Sequence, residues 1–477
     1  MITFTLCLLT LIAGYFIYGR FVERIFKPDS RRTPAQVYAD GVDYIPLPGW
    51  KIFMIQFLNI AGLGPIFGAI MGAQFGTASY IWIVLGTILF GATHDYMAGM
   101  LSLRHKGESL PETIGRYLGM TTKQVMRLFT VVLMVLVGAV FVSGPAGLLA
   151  GMTPDYMDAT FWIIVIFLYY ILATLLPIDK IIGKIYPLFA MALLFMAFGI
   201  LVMLYWHQPD LPELTDGFSI NYVGLPIFPM MFVSIACGAI SGFHATQSPL
   251  MARCITSEKQ GRPMFYGAMV AEGIVALIWA AAATCFFGEN GISYMQDGKE
   301  VLYTGADVAS KISKDWLGAV GGILAILGIV VAPISTGDTA LRSARLIVAD
   351  FLRMDQKTIS RRLLISIPIF LLTMGILLYS LKDKEGFNII WRYFAWCNQT
   401  LSVFTLWAIT VYLIRQRKVY WITLIPALCM TAVCVTYLCY APEGFGIPLM
   451  TSYIIGAVAV LVSIAWFVVW KLRYSNS

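Results

Sequence analysis

The chain is poor in charge. Only 12% of its 477 residues are Asp, Glu, Lys or Arg, whereas soluble domains carry about 25%. With 59% hydrophobic residues and a mean hydropathy of +0.78, it is predicted to be an integral membrane protein. No polar stretch could form a separate soluble domain; the longest, from about Gly288 to Trp316, is too short. Paired cysteines are missing as well. Cys7, Cys237, Cys254, Cys285, Cys397, Cys429, Cys434 and Cys439 show no metal-ligand spacing, which argues against a zinc site and a disulfide framework. They read as small buried hydrophobes. There is no Walker A sequence, so ATP-driven pumping is excluded, and no His-Glu-x-x-His metalloenzyme motif. No helix carries Arg at every third position, which argues against a voltage sensor.

What is present is apolar length. Thirteen spans meet the twenty-residue criterion: roughly 3–22, 53–76, 80–103, 125–150, 159–177, 185–206, 227–250, 264–287, 317–341, 363–381, 390–414, 419–440 and 449–471. Thr3 to Gly19 has no basic residue before it and no small-residue cleavage site. Arg20, Arg24, Lys27, Arg31 and Arg32 follow it, so it reads as an uncleaved first helix. With the N-terminus outside, only Lys299, Lys311, Lys314, Lys382, Lys384 and Arg392 of the 33 Lys and Arg fall in external loops. The positive-inside rule thus predicts N outside and C cytoplasmic. It also explains the net charge of +7 without nucleic acid.

Two of the spans break at Gly and Pro. The first break is Asn59-Ile60-Ala61-Gly62-Leu63-Gly64-Pro65. The second is Gly238-Ala239-Ile240-Ser241-Gly242-Phe243-His244, with Pro249 soon after. Unwound backbone in a bilayer is tolerated only where protein or a water-filled cavity satisfies it. A matched pair of interrupted helices in two halves of a chain points to a secondary transporter's binding site. The broken spans are the second and seventh, an odd offset, so the second copy would run in the opposite direction. The predicted fold is an all-α polytopic membrane protein with a five-plus-five inverted-repeat core. Residues 1–52 hold a peripheral helix and a basic loop, 53–206 the first repeat, 207–414 the second, and 415–477 two peripheral helices.

Ionisable groups inside a membrane are candidates for function. His94 and Asp95 lie in the third span; a shared proton there would suit proton coupling, and a structural hydrogen bond to a neighbouring helix is the rival reading. Neighbours in a helix point about 100° apart, so the two need not pair. Ser241, Gly242, His244 and Gln247 cluster at the second break as candidate substrate ligands. Ser335, Thr336 and Thr339 follow Pro333, and with the freed backbone near Ala61 they could enclose a hard cation, which prefers oxygen ligands. The alternative is a polar helix end in which Asp338 neutralises Arg342. Asn398, Gln399 and Thr400 read as helix glue. Asp95 stands out as the deep acid.

Asp40-Gly41-Val42-Asp43-Tyr44, Ile60 to Gly68 with its Gly-Leu-Gly-Pro core, Gly91-Ala92-Thr93-His94-Asp95 and Ser241-Gly242-Phe243-His244 together resemble the carbon starvation protein A (CstA) family of bacterial inner-membrane nutrient transporters. The similarity is strongest over about residues 30–350. It implies an amino acid–polyamine–organocation type of fold, and uptake of peptides, or of pyruvate with protons, under carbon starvation. By position, it makes Asp40 and Asp43 loop organisers and Gly62, Gly64 and Pro65 the unwound binding segment. The chain departs from the family pattern in its shorter length and in His94, where a Gln-Asp pair is more usual. The expected function is a symporter for a small molecule, coupled to H+ or Na+ and needing no cofactor. A half-helix N-terminus would bind a carboxylate, and a peptide ammonium would need Asp95, which favours a pyruvate-like carboxylate. The alternative is a nutrient sensor that binds the same ligand without net transport. No nucleophile–base or metal constellation supports an enzyme.

Overall fold

The computed structural model describes the chain except Val42, 176–181, 297–298, 357, 381–385 and 476–477. Lys382 and Lys384, counted above in the external loops, lie outside the described residues, as does Lys180, which the same topology places on the cytoplasmic side. Where lipid offers no hydrogen bonds, the backbone must satisfy itself, and the chain does so almost wholly with helices. They are α1 (Ile2–Phe26), α2 (Gly49–Ile60), α3 (Gly64–Ala73), α4 (Ala78–Arg104), α5 (Leu110–Leu118), α6 (Met120–Ala150), α7 (Ala159–Leu175), α8 (Ile182–His207), α9 (Ala236–Ala239), α10 (His244–Ala252) and α11 (Glu258–Asn290). A two-stranded hairpin follows, β1 (Ser293–Gln296) against β2 (Lys299–Leu302). Then come α12 (Gly305–Leu352), α13 (Ile359–Ser380), α14 (Gly386–Arg415), α15 (Trp421–Tyr440) and α16 (Leu449–Ser475). Among the described residues, ten helices are long and apolar enough to cross a membrane, and the bent pair α2–α3 makes an eleventh. The protein is a multi-pass membrane protein.

The predicted span at 317–341 begins at a real kink. Gly318 has φ +67°, where a side chain would be strained, and it separates an N-terminal arm of α12 from its apolar part. Thr304 and Asp307 form a capping box that starts the arm.

Connections far apart in sequence meet at the two ends of α1. At one end, the Glu213 carboxylate accepts from the backbone N–H groups of Ile2 (2.9 Å) and Thr3 (2.7 Å). At the other end of α1, Arg104 pairs with Glu258 (3.0 Å), Arg262 with Glu23 (2.9 Å), and Lys418 donates to the Phe26 carbonyl. Burial there, with Arg104 and Lys27 close by, pushes the Lys418 ammonium down to about 8. The helices containing the breaks pack at the centre, between α4, α11, α12 and α14.

Candidate functional site

The first break follows from proline chemistry. Pro65 has no N–H, and its ring would strike the carbonyl four residues back, that of Ala61. Helix α2 accordingly closes at Ile60, the residues 61–63 are non-helical, and α3 leaves at 55° to α2. This corrects the sequence reading of the unwound segment. Gly62 lies in it with Ala61, but Gly64 and Pro65 open the next helix. The Leu58 carbonyl, freed by the break, accepts a hydrogen bond from the Thr336 hydroxyl at 3.0 Å.

The second break is at Ile240, which is extended (φ −154°, ψ 141°), followed by Ser241, Gly242 and Phe243 before α10 starts at His244. Helix α14 supplies its missing partners. The Asn398 side-chain oxygen accepts from the Ser241 hydroxyl (2.9 Å) and the Phe243 N–H (2.7 Å), and the Asn398 carbonyl accepts from Gly242 N–H (3.2 Å). Gln399 donates to the carbonyls of Ala236 (2.7 Å) and Ile240 (3.1 Å). Thr87 of α4 donates to the Gly238 carbonyl at 3.0 Å. Gly242 is required by this approach, since a Cβ there would lie 2.3 Å from the Ser402 nitrogen.

The two breaks touch each other. A Cβ on Gly64 would lie 2.1 Å from Cys237 Cβ, a distance that real side chains do not reach. Gly64→Ala is therefore expected to cost about 1–3 kcal/mol in thermal or denaturant unfolding, with part of the loss restored by Cys237→Gly. Wild-type stability in the single variant would mean that the breaks do not pack this closely.

Beside the junction lies a chain of buried titratable groups. His94 Nδ1 is 2.8 Å from Asp95 Oδ1, and His244 Nδ1 is 2.8 Å from Asp95 Oδ2. All three side chains are fully buried. His94 and Asp95 thus do pair, which helix geometry alone had left open. The far nitrogen of His244 lies 3.4 Å from Glu272 Oε2 on α11. Sequence reasoning missed Glu272. The available signal was one carboxylate in the apolar run from Gly267 to Phe287, which marks a candidate under the rule for intramembrane charges. Asp95 is therefore not the one deep acid, because Glu272 and Asp338 are buried as well.

Of the proposed cation ligands, Thr336 alone is bonded to the first break. The hydroxyls of Ser335 and Thr339 bond to carbonyls of their own helix, at 2.7 Å to Ala332 and 3.0 Å to Thr336. Asp338 does not neutralise Arg342 by direct contact. It accepts from the Tyr186 hydroxyl at 2.6 Å, while Arg342 donates to the Ala173 carbonyl at 2.9 Å. Gln247, one turn into α10, donates to Thr246 (2.9 Å) and reaches Ser343 (3.5 Å). In the loop before α2, the Asp40 side chain accepts from the N–H groups of Asp43 and Tyr44, both at 3.0 Å.

A cavity of about 800 Å³ lies away from the breaks. It opens among Tyr44, Lys106, Glu112, Arg127, Arg253 and Asp355. A recess of about 10 Å³ shares Arg253 with it and reaches Thr246 and Ser343, with room for about one water molecule.

A family model, carbon starvation protein CstA, matches residues 1–154, 150–320 and 286–437. An uncharacterized membrane protein of Haemophilus influenzae is 43% identical over 339 residues, covering 60% of this chain and 91% of that one. The peptide transporter CstA of Bacillus subtilis is 25% identical, covering 98% of this chain and 96% of its own length. The peptide transporter CstA of Escherichia coli is 24% identical, with 87% and 77% covered. Among solved structures, a mutant of the Eremococcus coleocola manganese transporter superposes with a TM-score of 0.58 at 13% identity, covering 91% of this chain and 98% of that one. A Na+-coupled sialic acid symporter superposes with a TM-score of 0.55 at 15% identity, covering 97% and 96%. These likenesses are of fold alone. On the family match across residues 1–437, the chain belongs to the carbon starvation protein CstA family.

Proposed function

We propose that the protein is a proton-coupled symporter that imports a short peptide or a small carboxylate by alternating access. The observation that carries this reading is the buried His94–Asp95–His244 chain, because it links a carboxylate on α4 to the first residue after the second break. A movement of that half-helix cannot occur without disturbing the carboxylate's hydrogen bonds. Such coupling of proton state to backbone geometry is what a symporter needs.

In this reading the membrane is crossed thirteen times. The eleven spans above are joined by α7 and by the broken segment from Ile227 to Ala252. Residues 53–206 and 207–414 form the inverted repeats, with 1–52 and 415–477 peripheral. The N-terminus lies outside and the C-terminus in the cytoplasm of a bacterial inner membrane. The 800 Å³ vestibule then faces the cytoplasm, and the recess at Thr246 and Ser343 is the start of the path inward. Substrate meets the backbone at Gly62, Gly64, Pro65, Ser241 and Gly242 and the side chain of His244. The reason to favour a carboxylate over a peptide is gone, because Glu272 and Asp338 add two deep acids. Relatives named peptide transporters favour the peptide.

The test is uptake into proteoliposomes under an imposed pH gradient, with labelled pyruvate and labelled dialanine as separate probes. Accumulation of either that follows the gradient supports the reading, and equilibration without accumulation overturns it. A second reading, coupling to Na+ at Ala61, Ser335, Thr336 and Thr339, is favoured by the Thr336 hydroxyl on the freed Leu58 carbonyl. Thr336→Ala is expected to leave pH-driven accumulation in place and to cost about 0.5–1.5 kcal/mol of stability through the lost bond. A sodium requirement that disappears in this variant would move the coupling ion to Na+.

A further inference from the structure

Among the described residues, Glu272 has no hydrogen-bond partner on either carboxyl oxygen, and its side chain is fully buried. The facing nitrogen, His244 Nε2, is 3.4 Å away and also lacks a hydrogen bond among the described residues. That separation is beyond the normal range for a nitrogen–oxygen hydrogen bond. Four titratable side chains therefore stand in a line across α4, α10 and α11: His94, Asp95, His244 and Glu272. Two of the three links are closed at 2.8 Å, and the third is open.

The donor count decides where protons must be. An ionised carboxylate only accepts, and a neutral imidazole has one donor and one acceptor nitrogen. With Asp95 ionised, His94 and His244 each spend their N–H on it. His244 then turns its lone pair toward Glu272. A lone pair facing a carboxylate oxygen is repulsive, so one proton belongs to that contact. A bare carboxylate with neither oxygen bonded, away from water, is the costliest arrangement available.

We propose that Glu272 carries the coupling proton in this conformation and exchanges it through His244 with Asp95. The inference rests on the symporter reading and names its proton carrier. In the transfer, the Glu272 O–H bond breaks and a His244 Nε2–H bond forms. The His244 Nδ1–H bond breaks in turn and an Asp95 O–H bond forms. Two protons hop, one proton equivalent passes from Glu272 to Asp95, His244 changes tautomer, and the net charge of the line is unchanged. The open 3.4 Å link is the gate. His244 is the first residue of α10, so rearrangement of the Ile240–Phe243 break moves it relative to α11. Titratable groups around Glu272 are His244 of α10, Asp95 and behind it His94 of α4, and the Cys237 thiol of α9. Helix α2, packed along α11, carries the buried, uncharged Gln56 and Asn59. Helix α12 carries Asp338, whose carboxylate is held by Tyr186.

Two measurements test this. The first is infrared spectroscopy of the purified protein in lipid. A carbonyl band from a protonated carboxyl is expected, retained in Asp95→Asn and absent in Glu272→Gln. Persistence of the band in Glu272→Gln, or its absence from the wild type, would overturn the proposal. This readout needs no substrate, so it stands even if neither probe is transported. The second is transport in proteoliposomes with labelled pyruvate and labelled dialanine. One proton per substrate supports about tenfold accumulation per pH unit, each unit being about 1.4 kcal/mol. Glu272→Gln is expected to bring that ratio to one while counterflow exchange continues. Wild-type accumulation in Glu272→Gln, or loss of counterflow in a variant that remains folded, would assign Glu272 a structural role. If Glu272→Gln does not fold, Glu272→Asp takes its place. The shorter acid is expected to keep the band at a shifted frequency and to slow proton-driven uptake; an unshifted band would place the proton elsewhere.

Discussion

Asp95→Asn is expected to abolish accumulation driven by a pH gradient and to leave counterflow exchange in place. Asp95 receives both imidazoles, His94 and His244, at 2.8 Å. An asparagine fills the same volume, but its amide neither takes up a proton nor releases one in this range. Its nitrogen also turns a donor toward one imidazole, which must change tautomer to accept. The line of titratable groups is then cut in the middle. Exchange of labelled for unlabelled substrate needs the conformational cycle but no net proton flux, so it survives. With a gradient of one pH unit, the ratio of internal to external substrate is expected to fall from about ten to one, on the scale of 1.4 kcal/mol per unit. Labelled pyruvate or dialanine uptake and counterflow, measured on the same proteoliposomes, separate the outcomes. Loss of both activities together would make Asp95 a structural residue that holds α4 to α10.

Asn398→Ala is expected to destabilise the protein by about 2–5 kcal/mol, because two donors at the second break lose one buried acceptor. The Ser241 hydroxyl and the Phe243 N–H both point to its side-chain oxygen. No backbone partner is available, since the helix is broken at Ile240. The bilayer supplies no water to replace what is lost. Gln399→Ala, which frees the Ala236 and Ile240 carbonyls, should cost less, because an under-satisfied carbonyl is tolerated better than an orphaned N–H. Thermal unfolding in a fixed detergent measures both. A change below about 0.5 kcal/mol in Asn398→Ala would mean that water or lipid headgroups reach the break.

The readable parts of this molecule were those with a local cause. An apolar run near twenty residues long is a membrane helix whatever surrounds it, which is why the long spans could be placed from the chain alone. Pro65 breaks a helix by its own ring, and the break came within three residues of where Gly62, Gly64 and Pro65 put it. His94, Asp95 and His244 were found one at a time, because each is costly in an apolar segment.

What the sequence by itself determined, then, was the sequence of helices, their interruptions and the scarce polar groups within them. Only the tertiary structure decided which of these groups meet. Asp95 and His244 lie 149 positions apart, and no periodicity within either helix reports which face turns toward the other. Glu272 is one letter in an apolar run and leaves its hydropathy almost unchanged, so its place at the end of the line appears only when α11 packs beside α10. Asn398 and Gln399 read as helix glue; that they seal the second break depends on α14 lying against Ser241 and Gly242. Helices form from local hydrogen bonds, whereas a buried polar site forms from the faces that packing brings together.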